Sequence, residues 1–360
     1  MASSISTPQP PKVVLVTGSS GHLGTALMLT LPSLGYTPIG IDILPSPTTT
    51  HTGSITSPSF LTSIFQKYNN SQSQIHSILH TATLHKPHVG SHTKPDFIST
   101  NITGTTLLLE HAVAANCTSF IFTSSTTTFG RALSPAPGKP AAWITESVTP
   151  QPKNIYGVTK VAAEEICELI QAQTKLPVVI LRTSRFFPEQ DDVEERRMGW
   201  SDENLKVNEL CYRRVDLEDV VSAHVCAMEK AAAGDVTWGK YIISAPSPFS
   251  SDPETLKLLD SNAAEAMRGV VQGYESVYEK LGWRFLDRVD RVYDSSLAVK
   301  ELGWRPVWTF EKAVECVGKG EEWRSEVTRR VGKRGYHAVP TGVYTTAVSG
   351  GGGDVVSGTS

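Results

Sequence analysis

Cysteine is scarce in this chain, and no two cysteines are spaced to cooperate. Five of them, at 117, 167, 211, 226 and 316, are scattered over 360 residues without a Cys-x-x-Cys pair. That pattern argues against a disulfide scaffold or a thiolate metal cage and predicts buried, reduced thiols of a cytoplasmic protein. Long hydrophobic runs are missing as well: none approaches the roughly 18 residues of a membrane span. Charge of one sign is also lacking, since 33 Lys and Arg face 36 Asp and Glu for a formal net charge of −3. Nothing in that balance draws the chain toward nucleic acid or an anionic membrane, so the expected partner is a small-molecule substrate. The basic run 324–334 reads as a solvated terminal helix. Residues 1–11 are rich in Ser, Thr and Pro and carry no charge. They lack the basic start of a targeting peptide and read as a disordered arm. Residues 336–360, glycine-rich toward the end, read as a flexible tail.

What is present is a strand, a glycine turn and a helix in immediate succession. Val13-Val14-Leu15-Val16-Thr17 runs into Gly18-Ser19-Ser20-Gly21-His22-Leu23-Gly24, followed by the helical Thr25-Ala26-Leu27-Met28-Leu29. Free N–H groups and the positive end of a helix dipole then face one point, which suits a phosphate. Gly18 would permit the tight turn, Gly21 the close approach of a pyrophosphate, and Gly24 close helix–strand packing. A second strand, Tyr36 onward, ends in Asp42. An acid there can accept hydrogen bonds from a ribose and repel a 2′-phosphate, which predicts NAD rather than NADP.

Strand-like and helix-like segments alternate through the first two-thirds of the chain. Ile75 to His80, Ser119 to Thr123 and Val178 to Leu181 read as buried strands, and 104–115 and 156–173 as helices. Apolar strands alternating with helices predict an α/β, Rossmann-type, doubly wound parallel sheet. The expected organisation is a nucleotide-binding domain over 12–185, its sheet completed by later segments, with a smaller, irregular substrate lobe over 186–335. Ligands of such sheets bind beyond the carboxyl ends of the strands.

Tyr156 and Lys160 stand four residues apart, on one helix face. A free tyrosine, with a pKa near 10, is a poor base at neutral pH. A lysine cation one turn away, with the positive nicotinamide of NAD, would stabilise its phenolate. Ser125, in the hydroxyl row that leaves the strand Ser119 to Thr123, could hydrogen-bond the same substrate oxygen.

In these motifs the chain resembles the extended short-chain dehydrogenase/reductases, the NAD-dependent epimerase/dehydratase group, from about residue 12 to about 317. Residues 17–24 match its TGxxGxxG, His80-Thr81-Ala82-Thr83 stands where it has HxAA, and Asn101-Ile102-Thr103-Gly104-Thr105 matches NxxGT. Ser124-Ser125 with Phe129-Gly130 is similar to SSxxxYG, and Arg291 with Asp294 to its RxxD. The resemblance implies Ser125, Tyr156 and Lys160 as catalytic residues. It implies a cofactor site from Gly18, Ser20, Gly21, His22, Leu23, Gly24, Asp42, Ser54, Ile55, Thr81, Ala82, Thr83, Asn101 and Thr123, together with Tyr156 and Lys160. His85, Lys86, Ser125, Thr126, Arg185 and Arg197 are the implied substrate residues, with no metal. It also implies a homodimer through the helices at 104–115 and 156–173.

The departures are informative. Dehydratases of the group carry Asp-Glu after the catalytic hydroxyl, whereas this chain has Thr126-Thr127, so water elimination is disfavoured. The segment after Arg182 lacks the usual Asn of nucleotide-sugar epimerases. With Arg197-Met198 and Trp200 it is closer to uronate dehydrogenases, whose Arg before Met grips a sugar carboxylate. The expected activity is NAD-dependent, tyrosine-assisted hydride transfer at a hydroxyl-bearing carbon of a sugar or sugar derivative, by an epimerase or a dehydrogenase. A non-sugar alcohol dehydrogenase and a non-catalytic NAD-binding regulator are the alternatives.

Overall fold

Residues adjacent along the central strands point to opposite faces, and both faces are apolar, so the sheet must be covered on both sides. The computed structural model describes residues 12–70, 73–191 and 193–334; the expected arm and tail lie outside the described residues. The first half comprises β1 (Lys12–Thr17), α1 (His22–Thr30), β2 (Tyr36–Asp42), β3 (His51–Thr52), α2 (Pro58–Tyr68), β4 (Ile75–His80), α3 (Lys94–Ile98), α4 (Gly104–Ala114), β5 (Ser119–Ser125), β6 (Ala142–Ile144), α5 (Ile155–Thr174) and β7 (Val178–Thr183). There follow α6 (Glu194–Gly199), α7 (Asp202–Leu210), α8 (Leu217–Ala232), β8 (Trp238–Ile243), α9 (Pro253–Ser261), α10 (Ala263–Val270), α11 (Tyr274–Leu281), β9 (Arg291–Tyr293), α12 (Ser296–Leu302), α13 (Phe310–Gly318) and α14 (Glu326–Val331).

Seven strands form one parallel sheet in the order β3-β2-β1-β4-β5-β7-β8. Val14, Val16, Ile121, Val179 and Leu181 enter a core shared with α1 and α8. Their neighbours Val13, Leu15, Phe120, Phe122, Val178 and Ile180 enter a second core on the other face. The chain leaves β1 toward β2 on one side and returns to β4 on the other. That reversal opens a crevice at the carboxyl ends of the strands. β8 completes the sheet beside β7, from within the region expected to form the lobe. A separate cluster, including Leu210, Phe249, Met267, Tyr278 and Phe310, forms the core of the remaining lobe. Beside it lies a two-stranded sheet of β6 and β9.

The basic terminal run is not simply solvated: Val331 of α14 is buried in the core with α1 and α8. Thr328 donates to the Asp216 carboxylate at 2.9 Å. Asp216 itself caps α8, accepting the Glu218 N–H at 2.8 Å. No helix among the described residues is long and apolar enough to cross a membrane.

Helix α5 is seated on the sheet by charge as well as by packing. Its inward face carries Tyr156, Thr159, Lys160, Ala163, Glu164 and Cys167. Glu164, fully buried, receives Arg182 Nε at 3.1 Å and Nη2 at 2.6 Å, and the Ser124 hydroxyl at 2.5 Å. One turn earlier, Lys160 Nζ donates to the Thr123 carbonyl at 2.7 Å and lies 4.4 Å above the Phe122 ring. Burial brings the Lys160 pKa down to about 7, with Glu164 pulling the other way.

Two stability measurements test this seating. Glu164→Ala leaves the Arg182 cation buried and unpaired, so denaturant unfolding should report a loss of about 3–5 kcal/mol. Lys160 holds fewer protons folded than unfolded between pH 7 and its unfolded value near 10.4. Its contribution to stability therefore grows as pH rises through that window and is lost as pH falls through 7. Between pH 7 and 9, wild type should gain up to about 2 kcal/mol relative to Lys160→Met.

Candidate active site

Beyond the carboxyl ends of the strands lies a cavity of ≈ 670 Å³ that spans the molecule from the glycine turn to the lobe. At one end Gly18 takes φ +71°, and its N–H donates to the Ile41 carbonyl at 2.9 Å. A Cβ there would fall 2.8 Å from the Ala82 nitrogen. At Gly24 a Cβ would meet the Gly18 carbonyl oxygen at 2.0 Å, so α1 packs on the turn only with glycine. Gly21 differs: the only neighbour of its Cβ would be the Gly18 oxygen, at 3.3 Å, and the residue lines the cavity. It caps α1 without a side-chain cap bond, leaving the N-terminal N–H groups facing outward. The Asp42 carboxylate accepts the Ser20 N–H at 3.0 Å and the Leu44 N–H at 2.9 Å, tying the end of β2 to the turn.

Ser20, His22, Leu23, Ser54, Ile55, Thr81, Ala82, Thr83 and Thr123 also line the cavity. Asn101 does not; its amide braces the loop after β4, bonding Leu84 N at 2.8 Å, Leu84 O at 2.9 Å and Thr159 Oγ1 at 3.0 Å. His80 is buried between Thr17 and Thr105, with ring nitrogens at 2.7 and 2.9 Å from their hydroxyls. Burial and Lys160 hold its pKa well below the ordinary histidine value.

At the middle of the cavity, Ser125 ends β5 and Tyr156 begins α5. Asn154 caps α5 through the Gly157 N–H, at 2.9 Å. Gly157 lets the helix come close: a Cβ there would stand 3.1 Å from the Thr127 carbonyl. Tyr156 and Ser125 both line this part of the cavity, and the Ser125 hydroxyl donates to Thr127 Oγ1 at 3.1 Å and accepts the Thr127 N–H at 3.1 Å. Burial pushes the Tyr156 pKa up to about 12, and the nearby Ser125 hydroxyl acts against that rise. Lys160 lies behind this pair, on the Thr123 carbonyl, and does not line the cavity.

The far end is built from Thr126, Thr183, Ser184, Arg185, Phe187, Arg213, Arg291 and Tyr293; His85 and Lys86 also line the cavity, the His85 ring 5.8 Å from that of Phe187. Arg197 is not brought there: its Nη1 donates to the Asp191 carbonyl at 2.7 Å. Arg213 also lines the cavity, although in the sequence it stands inconspicuously just before the helix cap at Asp216. Arg291 was noted as part of a family signature, without a role. No group of His, Cys, Asp and Glu able to hold a metal occurs among the described residues.

Comparison with known proteins supports what this geometry suggests. Residues 14–239 match the family model described as NAD dependent epimerase/dehydratase family. A UDP-glucose 4-epimerase of Yersinia pestis is 29% identical over 186 residues, covering 47% of this chain and 52% of that protein. A low-salt glycan biosynthesis protein of Haloferax volcanii is 27% identical over 234 residues, covering 61% of this chain and 67% of that protein. The chain thus spans between half and two-thirds of these two relatives' length. In fold it is similar to the UDP-glucose 4-epimerase of Thermotoga maritima, with TM-score 0.57 at 20% identity, covering 85% of this chain and 97% of that one. A short-chain dehydrogenase/reductase superfamily protein of Agrobacterium tumefaciens, crystallised with NAD, gives TM-score 0.58 at 19% identity over 85% and 96% of the two chains. The chain belongs to the NAD-dependent epimerase/dehydratase family, and NAD is its cofactor.

Proposed function

We propose that the protein oxidises a hydroxyl-bearing carbon of a sugar or sugar derivative, nucleotide-linked or uronate-like, with Tyr156 as the base. The observation that carries this reading is that Tyr156 and Ser125 line one cavity, continuous with the glycine turn. The residues at the turn suit a dinucleotide. Gly21 leaves open the space that a side chain would fill. The Ser20 hydroxyl is buried without a partner among the described residues. Asp42 ends β2 where a ribose would be read.

When bound, NAD supplies the hydride acceptor. Ser125 holds the substrate hydroxyl by hydrogen bonding to its oxygen. Tyr156 Oη takes the proton from that oxygen as the carbon is oxidised. Lys160 keeps β5 and α5 in register from behind and supplies positive charge beneath the phenol. Thr126 and Thr127 carry no acid, which leaves no general acid or base there to expel water. The same groups serve an epimerase, which re-reduces the ketone it forms, and a dehydrogenase, which releases it. A homodimer through α4 and α5 fits the exposure of Val158 and Leu169 on α5, 48% and 53%.

The experiment is a screen of NAD reduction against uronates, aldoses and nucleotide sugars, followed by variants. Tyr156→Phe should lower turnover by about 10²–10⁴ and leave NAD binding intact. Ser125→Ala should slow turnover with NAD affinity unchanged, and Asp42→Ala should narrow the preference for NAD over NADP. Full activity in Tyr156→Phe on the substrate found would overturn the mechanism.

A further inference from the structure

His224 is a buried histidine with no part in the proton transfer described above. It lies in α8, fully buried against β5. Its Nδ1 stands 2.8 Å from the Val220 carbonyl oxygen one turn back, and its Nε2 2.8 Å from Thr123 Oγ1. Thr123 lines the cavity, two residues before Ser125. The carbonyl oxygen of Thr123 accepts Lys160 Nζ at 2.7 Å. Thr123 is therefore held from both sides, its hydroxyl by α8 and its carbonyl by α5.

The direction of each of these hydrogen bonds follows from what the atoms can do. A main-chain carbonyl only accepts, so His224 Nδ1 carries a proton. Burial lowers the His224 pKa to about 4, with the Val220 bond acting against it, so the ring is neutral at pH 7. A neutral imidazole protonated at Nδ1 has a bare lone pair at Nε2. Nε2 then takes the single proton of the Thr123 hydroxyl. A threonine at a cavity wall ordinarily turns its hydroxyl to donate or accept as its ligand requires. Here the proton is committed, and Thr123 Oγ1 can only accept from any further group.

We propose that His224 is a positioning residue for the cofactor, making Thr123 an acceptor for a hydroxyl or amide N–H on the nicotinamide half of NAD. Strands β1, β4 and β5 are neighbours in the sheet, so a dinucleotide that starts on the glycine turn after β1 reaches Thr123 on crossing β4. Thr123 falls on the sheet face of Ile121, which packs with α1, the helix that follows the turn. The proposal takes NAD as the cofactor and uses neither the Tyr156 mechanism nor the sugar substrate, so it fails or stands separately from them.

The test is calorimetric titration of the full-length, NAD-free protein with NAD and with ADP, which lacks the nicotinamide nucleoside. His224→Phe fills similar space without an acceptor and should weaken NAD about fivefold, the worth of one hydrogen bond, with ADP unchanged. His224→Gln, whose amide oxygen can take the Thr123 proton, should restore most of that loss. Thr123→Val should weaken NAD to a similar degree, and His224→Phe added to it should cost nothing more. A merely structural role would give the same loss in both backgrounds and no rescue by Gln. Should His224→Phe not fold, Thr123→Val and the wild-type protein still decide. Nitrogen NMR of the wild-type His224 ring, assigned by its loss in His224→Gln, should show Nδ1 protonated and Nε2 bare between about pH 6 and 8. Unchanged NAD affinity in Thr123→Val or in folded His224→Phe would overturn the proposal. So would ADP weakened as much as NAD, an equal loss from His224→Phe with and without Thr123, or a proton on Nε2.

Discussion

The seating of α5 on the ends of β5 and β7 is the constraint on which the rest of the site depends. Glu164 joins Ser124 and Arg182, and Lys160 joins Thr123, so consecutive turns of one helix are pinned to the carboxyl ends of two neighbouring strands. A buried ion pair is weak evidence for stability, because desolvation consumes most of its attraction. Its value here is registry: slipping α5 by one residue would break the Lys160 and Glu164 contacts together. Tyr156 sits one turn before Lys160, and its place on the cavity wall near Ser125 follows from that registry.

Burial gives Lys160 and the Tyr156 phenol their character. Tyr156 and Lys160 share one face of α5 out of water, so burial shifts each toward its neutral form, the phenol up to about 12 and the ammonium down to about 7, where it still carries part of its charge at neutral pH. A base that is neutral at rest becomes useful once positive charge is added to its surroundings. At the lobe wall, by contrast, Asp191 pairs with Arg185 and Glu209 with Arg213 and Arg214. One cavity thus joins a weakly charged centre to a strongly charged end.

Much of this was legible in the sequence where local rules apply. The β1–turn–α1 glycines could be assigned roles because a turn, a close approach and a packing contact each demand glycine within a few residues. The strand at 75–80 and the helix at 156–173 were visible from apolar periodicity, and their order implied the parallel sheet. Contacts between distant segments were not legible. Glu209 and Asp191 look like surface acids, one on a helix and one in an acidic run, and only folding brings them to the same arginines. Arg197 was singled out because it stands before Met198, yet the loop from β7 turns its guanidinium onto the Asp191 carbonyl. Asn101 and Lys160 line no cavity, because a polar residue near a site can brace it from behind as readily as face it.

The central claim is that Tyr156 is a neutral phenol held ready by burial and becomes a base when cofactor charge is added. It is tested most directly by ultraviolet difference titration of wild type against Tyr156→Phe, with and without NAD. Without NAD, the Tyr156 phenolate should appear only near pH 12. With NAD bound, its ionisation should move down by about one pH unit or more, as expected for a positive charge placed beside a buried phenol. Ionisation at the same pH in both states, or a phenolate already present below about pH 10 without cofactor, would contradict the account.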